Sequence, residues 1–220
     1  QFDLSSETDI PVRVIADNTV ASSYPQSALD EARGGYWIAG ATGFGGVKFV
    51  KFSDWSVTQH AAEYGTYGDN SMVLCKDGTR EYIVCMGRNG SGGVNFGVFV
   101  CPLSAGVPTN FTQVYPTGTP PVDKRCGGQW SEILKCIVSY EADGSYTLHK
   151  LIPPSGSLTA GEWAWESVVM TGVDGAVPSD TTTTANGAWG RMIEIPNAKT
   201  FLWADGVGKP VQSWTLPGMD

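Results

Sequence analysis

The heptapeptide Gly43-Phe44-Gly45-Gly46-Val47-Lys48-Phe49 returns 47 residues later as Gly90-Ser91-Gly92-Gly93-Val94-Asn95-Phe96, with five of seven positions identical. Upstream of each copy stands an apolar run, Tyr36-Trp37-Ile38 before the first and Tyr82-Ile83-Val84 before the second. A period of roughly 40 to 50 residues is what four-stranded propeller blades produce, and it excludes most other ways of arranging 220 residues. The 28 glycines and 13 prolines fit this reading, because they fall between short apolar runs, as turns fall between strands. No window keeps a helical apolar spacing for three turns without meeting Gly or Pro.

The expected fold class is therefore all-β, a small β-propeller of four blades with four antiparallel strands each. The first unit reads Ser27 to Glu31, Gly35 to Ala39, Val47 to Phe52 and Trp55 to His60. The second reads Ser71 to Cys75, Glu81 to Met86, Asn95 to Cys101 and Phe111 to Tyr115, with Asp77-Gly78 as a hairpin signal. The third reads Ser131 to Leu134, Cys136 to Tyr140, Tyr146 to Ile152 and Trp163 to Met170, with a turn at Asp143-Gly144. The fourth has three strands, Arg191 to Ile195, Thr200 to Ala204 and Val211 to Leu216. Its missing outer strand is expected from Pro11 to Ala16 at the N-terminus, which closes the ring and hides two sheet edges. The blades of this one domain span about 27–60, 71–115, 130–170 and 189–216, the last completed by 10–16.

The last unit, Trp189-Gly190-Arg191-Met192-Ile193-Glu194-Ile195-Pro196 followed by Thr200-Phe201-Leu202-Trp203, resembles closing blades of galactose-oxidase-like and Kelch-like propellers. The resemblance covers under thirty residues and implies the fold alone. The copper-radical site of galactose oxidase needs two His, two Tyr and a Cys, and no positions here align with it, so neither that activity nor its cofactor is carried over.

Net charge −8 and a pI near 4.7 exclude a general nucleic-acid surface, which Lys and Arg would have to build. No run approaches the about 18 to 20 apolar residues of a membrane helix, so no membrane insertion is expected. The start, Gln1-Phe2-Asp3, is not a signal peptide, and the chain is either processed or cut from a longer one. Sequons at Asn89-Gly90-Ser91 and Asn110-Phe111-Thr112 suit an extracellular, cell-surface or virion location. Five cysteines lie mostly in strand-like runs and read as buried thiols, with a Cys126–Cys136 bridge as the alternative for that pair. Two histidines, His60 and His149, are too few for a multi-histidine metal centre, and no metal or cofactor is expected.

No Gly-x-Ser-x-Gly elbow and no P-loop accompanies the glycine clusters, which read as wide hairpin loops. Acid–base chemistry would need two carboxylates roughly 5 to 9 Å apart. The candidates are Asp30, Glu31, Asp69, Glu132, Glu141 and Glu194, with Glu132 and Glu194 at similar early positions in first strands. Aromatics carry the better-motivated site, since sugars stack on Trp and Tyr while Asp, Asn and Arg bond their hydroxyls. Trp130 and Trp189 stand before first strands, Tyr64, Tyr67, Asp69 and Asn70 before another, and Arg125 and Arg191 are close in sequence. Trp55, Trp163, Trp165, Trp203 and Trp214 are expected to pack between sheets.

The sequence thus points to a non-catalytic binding or attachment module for a glycan or a surface protein, using loops on one rim. It would work as a homo-oligomer or within a parent assembly. The rivals are a glycan-cleaving hydrolase or lyase using channel carboxylates, and a structural virion or surface protein.

Overall fold

The computed structural model describes residues 26–39, 46–60, 70–89, 95–122, 127–140, 147–169, 192–204 and 211–219. They form four antiparallel sheets arranged as a four-bladed propeller. The first sheet runs in order β1 (Gln26–Asp30), β2 (Gly35–Ala39), β3 (Val47–Lys51), β4 (Val57–His60). The second has β5 (Asn70–Asp77), β6 (Arg80–Asn89) and β7 (Asn95–Ser104), whose far edge pairs with β8 (Val107–Pro108) and with β9 (Thr112–Val114). The third is β10 (Gly127–Ser131), β11 (Cys136–Tyr140), β12 (Thr147–Ile152) and β13 (Ala164–Val169). The fourth has β14 (Met192–Ile195), β15 (Thr200–Ala204) and β16 (Val211–Trp214) among the described residues. The proposed closing strand Pro11 to Ala16 lies outside them.

Period-two alternation explains how the sheets stack. In β6, Tyr82, Val84 and Met86 face one way, into a cluster with Trp130, Ile137, Leu151, Trp163 and Trp165 of the third sheet. Ile83 and Cys85 face the other way, against Trp37, Ala39 and Val47 of the first sheet. In β11 the same alternation sends Ile137 toward the second sheet and Val138 and Tyr140 toward Met192, Phe201, Trp203 and Trp214 of the fourth. A strand buried on both faces must be apolar at consecutive positions, hence Tyr82-Ile83-Val84-Cys85-Met86 and Cys136-Ile137-Val138. At about 1.5 to 3 kcal/mol for each large apolar side chain buried, each seam of ten or more residues is a core in its own right.

Cys75, Cys85, Cys101 and Cys136 are buried within these seams. Burial pushes the Cys101 thiol up to about 11, the Cys136 thiol up to about 12 and the Cys75 thiol well above its ordinary value, so they behave as inert core residues. Cys126, the alternative partner for Cys136, lies outside the described residues.

Two sequence expectations shift. The third sheet begins at Gly127, and Glu132 to Lys135 form its first turn, where Ser131 to Leu134 was expected as the strand. The Gly127-Gly128 pair looks like a turn signal, but Gly128 is a strand residue pressed against the neighbouring sheet. A Cβ there would stand 2.1 Å from Met86 Cε and 3.2 Å from Val73 Cγ2. In the second sheet, the expected strand Phe111 to Tyr115 contracts to Thr112–Val114, because a hairpin from β7 into β8 precedes it. Elsewhere the strands fall within a few residues of their expected bounds.

Candidate functional site

The first strands β1, β5, β10 and β14 lie next to one another in that order, and the turns that follow them meet at one end of the propeller. Three of these turns share one geometry. Asp30, Ser131 and Ile195 are each followed by four residues, the last in the left-handed region: Gly34 at φ 64°, Lys135 at 51° and Lys199 at 49°. In two of them the strand's last side chain caps the turn. Asp30 Oδ1 accepts from the Arg33 N–H at 3.3 Å, and Ser131 Oγ accepts from the Leu134 N–H at 3.0 Å. This repeat of structure has no repeat of sequence.

Polar groups join neighbouring blades at this end. Between the first and second, the Asp30 carboxylate is buried and accepts from Arg33 Nη1 at 2.6 Å and from the Trp37 indole at 3.0 Å, with Lys76 Nζ 3.5 Å away. Arg33 also pairs with Glu81 of β6. Burial alone would raise the Asp30 pKa; the bonds from Arg33 and Trp37 and the charges of Arg33 and Lys76 outweigh it and hold the carboxyl below its ordinary value. Between the second and third blades, Arg80 donates to the carbonyls of Pro154 at 2.6 Å and Gly156 at 3.0 Å, while pairing with Asp77. Between the third and fourth, buried Glu194 accepts from the Ser131 hydroxyl and, at 2.7 Å, from the Glu132 N–H.

These contacts decide the fate of the carboxylate candidates. Glu132 sits in a turn and pairs with Lys135 at 2.9 Å, so it does not share a strand position with Glu194. Glu194 and Asp30 are structural acceptors. Glu31 lies in a short 3-10 turn and is exposed. Asp69 and Glu141 lie outside the described residues. His60 packs its ring 5.5 Å from Trp37, and burial lowers its pKa; His149 is buried with Nδ1 3.4 Å from Ser167 Oγ. Among the described residues no group of three or more His, Cys, Asp or Glu is placed to hold a metal ion, and no helix is long and apolar enough to cross a membrane.

Of the aromatic candidates, Trp130 is described and is 4% exposed, packed edge-on to Tyr82 at 6.1 Å within the seam between the second and third blades. It belongs to β10 and not to a loop before it, which is why it faces the core. Asn70 heads β5, its backbone opposite Gly87. Tyr64, Tyr67, Asp69, Arg125, Trp189 and Arg191 lie outside the described residues. Trp163, Trp165, Trp203 and Trp214 are buried as expected, whereas Trp55 is 45% exposed. Sequence reasoning missed the Asp30–Arg33–Lys76–Glu81 network; its one visible trace is Asp30-Glu31-Ala32-Arg33-Gly34, an acidic cap three residues before a base and then a glycine.

Comparison of the chain with known protein families, curated proteins and solved structures gives no match.

Proposed function

We propose that this propeller is a non-catalytic binding or attachment module, recognising a glycan or a surface protein through its rim. The observation that carries this reading is the commitment of the first-strand carboxylates. Asp30 and Glu194 both accept hydrogen bonds that join blades, so the acids best placed along the inner strands serve as joints. An acid–base pair needs groups free to exchange protons with a substrate. A rigid ring with varied turns on shared sheets suits binding instead. Asn110 of the second sequon is exposed, which supports display outside the cell or on a virion surface. The Kelch-like character of the last blade forms part of the same proposal.

The test is an array carrying neutral, sialylated and sulfated glycans together with cell-surface proteins, probed with the folded chain and with a Trp189→Ala, Tyr64→Ala variant. Saturable binding by the chain, with no cleavage of polymeric glycans, is the expected result. Turnover of any glycan, or a folded chain that binds nothing, overturns the reading.

A further inference from the structure

Six of the seven described tryptophans are buried, and the seventh, Trp55, is 45% exposed in the turn between β3 and β4. Its backbone is in the left-handed region at φ 59°, where an L-residue with a bulky side chain carries strain of about 1 to 2 kcal/mol. Glycine would relieve that strain, and a half-solvated ring recovers only part of it through burial. The turn nevertheless holds its shape firmly. Lys51 N–H donates to the Ser56 carbonyl at 3.0 Å, and Phe52 N–H donates to the Gly34 carbonyl at 2.8 Å, tying this turn to the one that follows β1. Asp54 Oδ1 accepts from the Ser56 N–H at 2.9 Å and from its hydroxyl at 2.7 Å. Phe52, 41% exposed, meets Trp55 edge-on at 6.2 Å and lies 5.8 Å from Tyr36.

We propose that Trp55, Phe52 and Tyr36, with Asp54 of the same turn as Trp55, form a binding site for a neutral pyranose. The C–H face of the sugar stacks on Trp55, Phe52 braces that ring, and Asp54 accepts from sugar hydroxyls. Three features select this class. A patch of three rings is far below the roughly 1,200 Å² that a stable protein interface buries. The hydrogen bonds from Ser56 hold the Asp54 carboxyl below its usual range, so it is ionised at neutral pH and offers acceptors only, which match hydroxyl donors. The same carboxylate, on a chain of net charge −8, opposes sialylated and other acidic sugars. The site stands at the end of the propeller that carries the turn after β1, to which Phe52 is bonded through the Gly34 carbonyl. It rests on the binding-module reading for the kind of ligand, and on its own geometry for the place.

The experiment titrates the full chain with methyl pyranosides of neutral hexoses and their N-acetyl derivatives, following tryptophan fluorescence and calorimetric heat. The variants are Trp55→Gly, which removes the ring and relieves the backbone, and Asp54→Asn. Circular dichroism and melting confirm that each is folded. The expected result is saturable binding by the chain, weakened about tenfold or more in Trp55→Gly and weakened less in Asp54→Asn. Sugar binding that survives Trp55→Gly overturns this site while leaving the binding-module reading in place. Preference for sialylated sugars, or for choline as a quaternary ammonium ion, overturns the assignment to neutral pyranose. A folded chain that binds no sugar, and a surface protein instead, overturns the site and leaves a protein-attachment module.

Discussion

The seam between the first and second blades and the seam between the third and fourth are built on the same four-residue turn but joined by different chemistry. At the first, a buried carboxylate is met by two cations and an indole, Asp30 by Arg33, Lys76 and Trp37. At the other, the buried carboxylate comes from the neighbouring blade, and Glu194 is met by a hydroxyl and a backbone N–H of the turn itself. The turn geometry is thus a common frame, and a carboxylate spans each gap from whichever side supplies it. The two joints should therefore differ in what disturbs them: charge balance for the first, hydrogen-bond geometry for the other.

The largest effect should follow Asp30→Ala, which leaves Arg33 and Lys76 with Glu81 as their remaining shared carboxylate and strips the Trp37 indole of its partner. We expect a loss of about 3 kcal/mol in urea unfolding. The same joint sets a pH dependence. The folded-state pKa of Asp30 lies below its unfolded value, so its contribution is complete above the ordinary carboxyl range near pH 4 and is lost as pH falls through the folded pKa. Stability measured from pH 5 downward should therefore fall less steeply in Asp30→Asn than in the parent; equal slopes would refute the assignment.

Glu194→Ala comes next, at about 2 kcal/mol, because it leaves the Ser131 hydroxyl and the Glu132 N–H without an acceptor in a buried place. Its effect should be nearly independent of salt, since neither partner is charged. If 1 M NaCl changes the Asp30→Ala and Glu194→Ala losses by the same amount, the contrast between the seams fails.

A smaller effect tests the shared frame. Gly34 holds a left-handed conformation with open space around its Cβ position, while Lys135 and Lys199 hold the same conformation with side chains. Gly34→Ala should cost about 1 kcal/mol from conformation alone, and Lys199→Gly should be neutral or stabilising by a few tenths of a kcal/mol. Smallest of all is the exposed Lys135–Glu132 pair, whose double-mutant coupling should stay below about 0.5 kcal/mol and vanish in salt.

Much of the architecture was legible without coordinates, for local reasons. Gly43 to Phe49 and its copy exposed the blade period, and Asp77-Gly78 marked the hairpin between β5 and β6. Alternation and apolar runs placed the middle strands of every sheet. Where reading failed, a long-range contact had overridden a local signal. Gly127-Gly128 has turn composition, yet Met86 and Val73 press against Gly128 from forty or more residues away and make it a strand. Placing Trp130 in β10 follows from that, and with it the burial that removes this ring from the rim.

The sequence by itself determined an acidic, all-β chain whose repeat and turn chemistry call for antiparallel blades, because these depend on residue period and on backbone preferences a few positions wide. Tertiary structure alone decided which carboxylates are joints and which of the described tryptophans meets solvent. Asp30 and Glu194 acquire their roles from Lys76 and Ser131, in neighbouring blades. Trp55 is exposed because of a left-handed turn tied to Gly34, not because of its composition. Such contacts join residues far apart along the chain, and no local pattern records which of them will meet.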